Sequence, residues 1–339
     1  MVLPRLKNSP DLWRLARDLG IHQGSDPVVD IVGHAVRRVR RFLRKYPCAT
    51  LTELLDMVAA NLETEFVCVN TDDEVDELER QQLSHGETGF LNLRKQLGPT
   101  VYGITFRRLR AGRLDRSFIS VIDCRGDKRH RAYFTKWHEL AHLLTLTDQR
   151  RLKFLRSHAP EERKDPEEAL MDIIAGEVAF LPEIVTSYAE GRLTFYEVER
   201  LRDRLCPDCS RQAALLGLVR AWPQPVLLLD ITLGLKASEA LALEQGRFGF
   251  SPAAVAVPRA TRVTINEAAK MAGLRIHPNM RVPSGSVIYQ VFSEAAEHLY
   301  AFENLDMWSS SDGSRLPSQA VHVEARRLYH ATYALIAIE

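Results

Sequence analysis

The chain has almost no excess charge of either sign and no long apolar run. Its 339 residues include 45 basic and 44 acidic side chains, which gives a formal net charge of +1. It therefore lacks the global positive field that is typical of a dedicated nucleic-acid binder. No stretch approaches the roughly 18 uninterrupted apolar residues of a membrane span, and the first 20 residues lack the apolar core of a signal peptide. We expect a cytoplasmic protein that does not contact a membrane.

Cysteine is also scarce. The five cysteines are odd in number and mostly scattered, which argues against a disulfide framework and suits a reducing compartment. Hydrophobic residues make up 45% of the chain and charged residues 26%, close to the averages of folded globular proteins. These values exclude wholesale disorder and a coiled-coil rod, and the length predicts two or three domains.

Periodicity and helix breakers divide the chain into three parts. Residues 1–187 mix helices with strands, including two strand-like runs, Val101 to Leu109 and Ser117 to Asp123, that predict a hairpin. Residues 188–223 contain two helical runs around a short turn, the pattern of a helix-turn-helix-like segment. Residues 224–339 are mostly strand-like with short helices. The sequence therefore predicts an α+β protein of three domains.

Several local expectations follow from the same patterns. A basic amphipathic helix is predicted from about Asp30 to Tyr46. An acidic, polar connection is expected between a strand that ends at Val69 and the hairpin. In the last part, Val287 to Phe292 is predicted as a strand and Ser238 to Glu244 as a short helix.

The strongest chemical signal is the segment His138-Glu139-Leu140-Ala141-His142. Histidines at positions i and i+4 lie one turn apart on one face of a helix, so both imidazoles can reach one zinc ion. Glu139 then stands beside the metal as the general base of a hydrolase. The flanking apolar residues predict a buried helix, where two histidines and a glutamate without partners would be costly. The alternative is a core histidine pair satisfied by backbone groups.

A catalytic zinc also needs a third protein ligand, for which Glu168 is the candidate. Asp165-Pro166-Glu167-Glu168 also has the form of a capping box, so Glu168 has an alternative role as a helix cap. The strip that follows, Asp172, Ala175 and Ala179, is small enough for close approach by the histidine helix, which favours Glu168 as a ligand. Glu167 is the neighbour that would replace it, and Asp172 is either an acceptor for a ligand imidazole or an exposed or capping residue.

Four segments together resemble the ImmA/IrrE family of bacterial metallo-endopeptidases. They are Phe118–Asp123, Arg131–His142, Glu168–Asp172 and Phe180–Pro182, which match the family's strand, its Arg-x-x-Phe-Thr-x-x-His-Glu-x-x-His helix and its next helix. Asp172 stands where the family usually has asparagine. The order of the later regions resembles the IrrE branch, in which a helix-turn-helix-like bundle and a GAF-like domain follow the peptidase domain.

The resemblance implies a function as well as a fold. It implies a gluzincin-like zinc peptidase domain with Zn²⁺ held by His138, His142 and Glu168, and a C-terminal GAF-like sensor domain. It further implies that the substrate is a protein, typically a helix-turn-helix transcriptional repressor, whose cleavage triggers a stress, mobile-element or defence response. Composition and spacing by themselves indicate only a zinc hydrolase.

Other features leave alternatives open. Basic clusters at Arg37 to Lys45 and Arg107 to Arg116, with the candidate recognition helix Arg211 to Arg220, suit a DNA-binding regulator with a structural or vestigial zinc site. That helix is mostly apolar, which favours a packing role. Cys206-Pro-Asp-Cys209 is interpreted as a turn before a capped helix, since a single CxxC lacks the second half of a metal knuckle. Strand Phe118 to Asp123 is either an edge strand that receives a peptide substrate or an internal strand.

Overall fold

The computed structural model of the chain describes residues 6, 9–21, 24–109, 115–147, 153–157, 165–236, 239, 255–310, 313–328 and 331–338. These residues form a mixed α+β structure, as predicted. They divide into two compact units, a first of Met1–Ile184 with Arg202–Ala213 and a second of Val185–Leu201 with Ala214–Glu339. The finer division into three domains stays a prediction. Among the described helices, none combines the length and apolar character needed to cross a membrane.

The first unit combines helices with one sheet. Its helices are α1 Pro10–Asp18, α2 Pro27–Lys45, α3 Leu51–Asn61, α4 Asp72–Ser84, α5 Leu93–Gln96, α6 Ala132–Leu144, α7 Pro166–Val178 and α8 Pro182–Val185. Its strands are β1 Thr64–Val69, β2 Val101–Arg107, β3 Phe118–Asp123 and β4 Lys153–Ser157. The strand order is β1-β3-β2-β4, with β1 parallel to β3 and the other pairs antiparallel.

The hairpin predicted from the sequence is confirmed as the antiparallel pair β2 and β3. Residues 110–114 between the two strands lie outside the described residues. β3 lies between β1 and β2, so its backbone is hydrogen-bonded on both sides. The interpretation of Phe118–Asp123 as an edge strand is therefore wrong, because a peptide can add only to an unpaired strand.

Helix starts in this unit follow from capping residues. The Asp26 carboxylate accepts a hydrogen bond from Val28 N–H at the start of α2, with Pro27 in the first helical position. Helix α4 occupies part of the segment that was predicted as an acidic connection, and Thr71 caps it by accepting from Glu74 N–H. Its buried side is narrow, which is why periodicity did not reveal it.

The second unit contains a sheet of six described strands. They are β5 Val226–Gly234, β6 Val257–Ile265, β7 Met280–Arg281, β8 His298–Asn304, β9 Ala320–Leu328 and β10 Ala331–Ala337, in the antiparallel order β7-β6-β5-β10-β9-β8. The predicted helical runs before it are α9 Phe195–Leu205 and α10 Arg211–Ala221, and two short helices, α11 Glu267–Met271 and α12 Val287–Phe292, interrupt the strands.

Helix α12 corrects the prediction of a strand over Val287–Phe292. Ser286 caps this segment by accepting a hydrogen bond from Ile288 N–H, and Val287, Ile288 and Val291 are buried. The cap and the burial of one side outweigh the strand propensity of the β-branched residues. Of the helix predicted over residues 238–244, all but residue 239 lies outside the described residues.

Candidate metal centre

Helix α6 places the motif residues inside the first unit. It packs against β2, β3 and β4 on one side and against α7 on another. Trp137 and Leu140 are fully buried, and His138, Glu139 and His142 are between 0% and 1% exposed. The apolar flanks therefore bury the helix, as predicted, and carry the three polar residues into the interior with it.

Both histidines face one carboxylate on α7. The Nε2 atom of His138 lies 3.2 Å from Glu168 Oε2, and the Nε2 atom of His142 lies 3.2 Å from Glu168 Oε1. The ligand atoms of the three residues all lie within 4.8 Å of one another. The structure thus brings together the three residues that the sequence predicted as metal ligands.

The spacing of these atoms allows all three residues to bind one metal ion. Zinc bonds of about 2.0 to 2.1 Å to histidine nitrogen and carboxylate oxygen place neighbouring ligand atoms about 3.3 Å apart. The two nitrogen-to-oxygen distances of 3.2 Å, one to each oxygen of Glu168, are close to that separation. Two imidazoles and one carboxylate can therefore hold a metal ion here, and this donor set is one that zinc accepts.

Asp165 is the N-cap of α7, as the capping-box pattern predicts. The Asp165 carboxylate accepts from Glu167 N–H at 2.8 Å and caps α7, with Pro166 in the first position. The carboxylate of Glu168, at the third position of the helix, faces the two histidines. Glu167 lies at the edge of the cluster, with its Oε1 3.7 Å from Nδ1 of His142. Of the two glutamates, Glu168 is the one that faces both Nε2 atoms.

Asp172 supports one of the imidazoles. Its Oδ1 lies 2.7 Å from Nδ1 of His138, one turn along α7 from Glu168. An ionised carboxylate can only accept, so Nδ1 of His138 is the donor in this contact, and Nε2 is the nitrogen that would bind a metal ion. The small residues of the predicted strip, Ala175 and Ala179, are fully buried, and Tyr133 Oη donates to Ala179 O at 2.9 Å.

The two oxygens of Glu139 have different surroundings. Oε2 accepts a hydrogen bond from Thr105 Oγ1 at 2.7 Å, and Thr105 is itself 2.6 Å from Ser120 Oγ. Oε1 has no hydrogen-bond partner among the described residues. Gly103 leaves room beside it, since a Cβ added there would lie 2.9 Å from Oε1. Sequence reasoning did not identify Gly103, Thr105 or Ser120, because small polar residues in strands carry no motif.

The charges of the cluster respond to burial and to each other. Burial by itself would raise the pKa of Glu168, but its contacts with His138 and His142 outweigh this and lower the pKa to about 2. Burial would lower the pKa of His142, whereas Glu167 and Glu168 raise it to about 9. Burial raises the pKa of Glu139. The carboxylates beside His142 thus favour positive charge at this position, which a metal cation can supply in place of a proton.

The basic helix α2 contributes to this core. Arg38 Nη1 donates to the carbonyl oxygens of Leu143 and Leu144 at 3.3 and 3.0 Å, at the C-terminal end of α6. Arg40 Nε forms an ion pair of 2.5 Å with Glu183. Two of the arginines considered for DNA contact therefore have intramolecular partners. In the second basic cluster, residues 110–114 lie outside the described residues.

The CxxC segment forms the predicted turn. Cys209 N–H donates to Cys206 O at 2.9 Å, and Ser210 Oγ accepts from Ala213 N–H at 3.2 Å at the start of α10. Most of α10 is buried, which agrees with a packing role for this helix.

Comparison with known proteins identified no relative of the chain. No protein-family model matches the chain, and a search of curated proteins found no match. The candidate centre therefore rests on its own geometry.

Proposed function

We propose that the chain is a zinc-dependent endopeptidase, with His138, His142 and Glu168 as metal ligands and Glu139 as general base. The observation that carries the proposal is the combination of two imidazoles and a carboxylate that could hold one metal ion with the buried carboxylate of Glu139, whose Oε1 has no hydrogen-bond partner among the described residues. A structural zinc site has four protein ligands and needs no general base, whereas a catalytic site has three protein ligands and a position for water.

The residues around the metal have separable roles. When bound, zinc would supply the Lewis acidity that activates water and polarises a peptide carbonyl. Glu139 accepts the proton of the attacking water at Oε1 and returns it to the leaving amine nitrogen. Thr105 holds Oε2 and so fixes the direction of the other oxygen. Asp172 fixes the tautomer of His138, which keeps the Nε2 lone pair available for the metal.

The substrate and setting come from the resemblance to the ImmA/IrrE family. We propose a protein substrate, a helix-turn-helix transcriptional repressor, whose cleavage releases a stress, mobile-element or defence response. The gluzincin-like, helix-turn-helix-like and GAF-like assignments of the three parts belong to this proposal. So does a cytoplasmic location, which the five free cysteines support.

The first test compares metal content and proteolysis in matched variants. Purified wild-type protein should hold zinc close to one equivalent and cleave its substrate. Glu139→Gln should keep the metal and lose cleavage, while Glu168→Gln should lose both. Glu177→Gln, an exposed glutamate on the same helix as Glu168, is the control and should change neither. Protein without zinc, together with full function in Glu139→Gln, would rule the proposal out.

The same Glu139→Gln protein serves to identify the substrate. An inactive peptidase that still holds its metal retains a bound substrate, so a repressor should be recovered with it and not with Glu168→Gln. The competing hypothesis is a DNA-binding regulator. Salt-dependent duplex binding that Arg211→Ala and Arg220→Ala abolish, with no effect of Glu139→Gln, would favour that hypothesis.

A further inference from the structure

The second unit contains a cavity that the proposed peptidase function does not use. Its volume is about 850 Å³, within the range of small-molecule sites. Its wall includes three basic side chains, Lys236, Arg259 and Arg281, and one acidic side chain, Glu239, so the described lining carries an excess of positive charge.

Arg259 is the fixed element of this wall. It is only 6% exposed, and its guanidinium is held by two backbone carbonyls, Gly234 O at 3.0 Å from Nε and Asn279 O at 2.9 Å from Nη1. Nη2 donates to no group among the described residues. The guanidinium is therefore buried and held in place at Nε and Nη1, and it belongs to a residue of the cavity wall.

Arg281 lies directly opposite Arg259 in the sheet. The two are Cα partners in the antiparallel pair of β6 and β7, so their side chains share one face. Like charges in this position repel each other. Burial, with a contribution from Arg281, lowers the pKa of Arg259 despite the opposing effect of Glu239.

Glu239 does not neutralise the group. Its carboxylate accepts from the backbone N–H of Lys236 at 2.9 Å, and in the described part of the wall it is one acidic side chain beside three basic ones. Among the described residues, no carboxylate forms an ion pair with Arg259, Arg281 or Lys236. Two serines of the same wall, Ser309 and Ser310, add hydroxyl groups.

We propose that this cavity binds a small molecule through an oxyanion group, a phosphate or a carboxylate, held between Arg259, Arg281 and Lys236. The negative charge of the oxyanion offsets the repulsion between Arg259 and Arg281. Its oxygens accept hydrogen bonds from Nη2 of Arg259, which donates to no described residue. Arginine is suited to both groups, because its planar guanidinium matches their paired oxygens. The inference does not depend on the peptidase proposal, since it concerns a different unit and is tested by binding alone.

The test is calorimetric titration of the full chain in low-chloride buffer. Inorganic phosphate and pyrophosphate are the phosphate probes, and citrate is the carboxylate probe. We expect saturable binding of at least one class, which also distinguishes a phosphate from a carboxylate ligand. Arg281→Gln and Lys236→Gln should each weaken that binding about tenfold, since each removes a charge-assisted contact. Arg275→Gln, an exposed arginine of the same unit outside the cavity wall, should leave it unchanged.

Arg259→Gln should weaken binding most, and circular dichroism establishes whether this variant folds. The exposed variants at Arg281 and Lys236 decide the outcome if it does not. Absence of saturable binding for all three probes would overturn the inference. Binding that Arg281→Gln and Lys236→Gln both leave unchanged would also overturn it, because the anion would then lie elsewhere, for example at the proposed metal centre.

Discussion

The carboxylate of Glu139 is oriented by a hydrogen bond from a strand of the sheet and not by a residue of its own helix. Thr105 on β2 donates to Oε2, and Ser120 on β3 lies within hydrogen-bond distance of Thr105. All three side chains are fully buried, so their mutual orientation is not averaged by solvent. For the proposed peptidase, this contact decides which oxygen of Glu139 stays available for the proton.

Thr105→Val should lower kcat about tenfold while leaving KM and the zinc content unchanged. Valine matches threonine in shape but leaves Oε2 of Glu139 without a partner, and loss of such a supporting contact costs about 10- to 100-fold in activity. Steady-state kinetics with metal analysis measures both. Thr105→Ser, which keeps the hydroxyl, should restore most of the rate, and failure of that rescue would contradict a positioning role.

Gly103→Ala tests whether the space beside Oε1 is required. The added methyl group would lie 2.7 Å from Thr135 Cγ2 and 2.9 Å from Glu139 Oε1, both inside contact distance. We expect a loss of about 1 to 3 kcal/mol in unfolding free energy, typical of overpacking, together with a loss of activity. Denaturant titration measures the first quantity.

The matched double variant is Gly103→Ala with Thr135→Ser. Serine removes the Thr135 methyl group but keeps the hydroxyl that donates to Arg131 O at 2.9 Å. The double variant should regain part of the lost unfolding free energy, because the contact with the Thr135 methyl group is gone. It should not regain activity, because the contact with Glu139 Oε1 remains. A Gly103→Ala protein as stable and active as wild type would show that the close approach is not needed.

At the scale of elements, a side chain of the basic helix α2 forms hydrogen bonds with the C-terminal end of the histidine helix α6. The last carbonyl groups of a helix have no partners within it, and Arg38 donates to two of them on α6. The positive charge also lies at the negative end of the helix dipole. One arginine of a strongly basic stripe thus has a role in the fold of the candidate centre.

Arg38→Met should reduce the unfolding free energy by about 1 to 2 kcal/mol, since it removes a charged donor from buried helix carbonyls. Methionine keeps much of the apolar stem. Arg41→Met is the control, because Arg41 lies exposed on the same helix. Equal effects of the two substitutions in denaturant titration would show that only the charge of the stripe matters.

Elements also differ in how far the sequence predicted them. The hairpin β2–β3 was predicted close to its observed bounds, and two helical runs were predicted where α9 and α10 occur, because each combines a clear period with a turn or breaker at its end. Helix α4 was missed and α12 was predicted as a strand. In both helices, a capping residue and the burial of one side decide the structure. The sequence did not reveal this because the apolar stripe of α4 is narrow and the β-branched residues of α12 favour a strand.

At the scale of the whole chain, stability should depend on pH through a buried acid. Asp123, 1% exposed at the end of β3, accepts hydrogen bonds from Arg125 and Lys128. Burial would raise the pKa of Asp123, but these contacts outweigh it and lower the pKa below its ordinary value of 3.8. A lowered pKa in the folded state means that the contribution is complete at neutral pH and is lost as the pH falls below that value.

The difference in unfolding free energy between wild type and Asp123→Asn should therefore be largest near pH 7 and shrink between about pH 4 and pH 3. Denaturant titrations of both proteins across this range measure it. Other acids titrate in both proteins and cancel in the difference. A difference that stays constant down to pH 3 would show that Asp123 acts by packing and not by charge.

The sequence by itself determined the two candidate metal ligands on α6, His138 and His142. On α7 it narrowed the choice of the third ligand to Glu168 or its neighbour Glu167. The spacing of His138 and His142 is a property of helix geometry, and a capping box with its small-residue strip pointed to Glu168. Such signals are local, since the residues that meet are three or four positions apart.

Only the tertiary structure decided the rest of the site. It placed Glu168 against both imidazoles, Asp172 against His138, and Thr105 of β2 beside Glu139. It also made β3 an internal strand and set Arg281 opposite Arg259. These contacts join residues far apart in sequence, so they depend on how the helices pack on a sheet and how strands align. Neither is encoded in the spacing of any one segment.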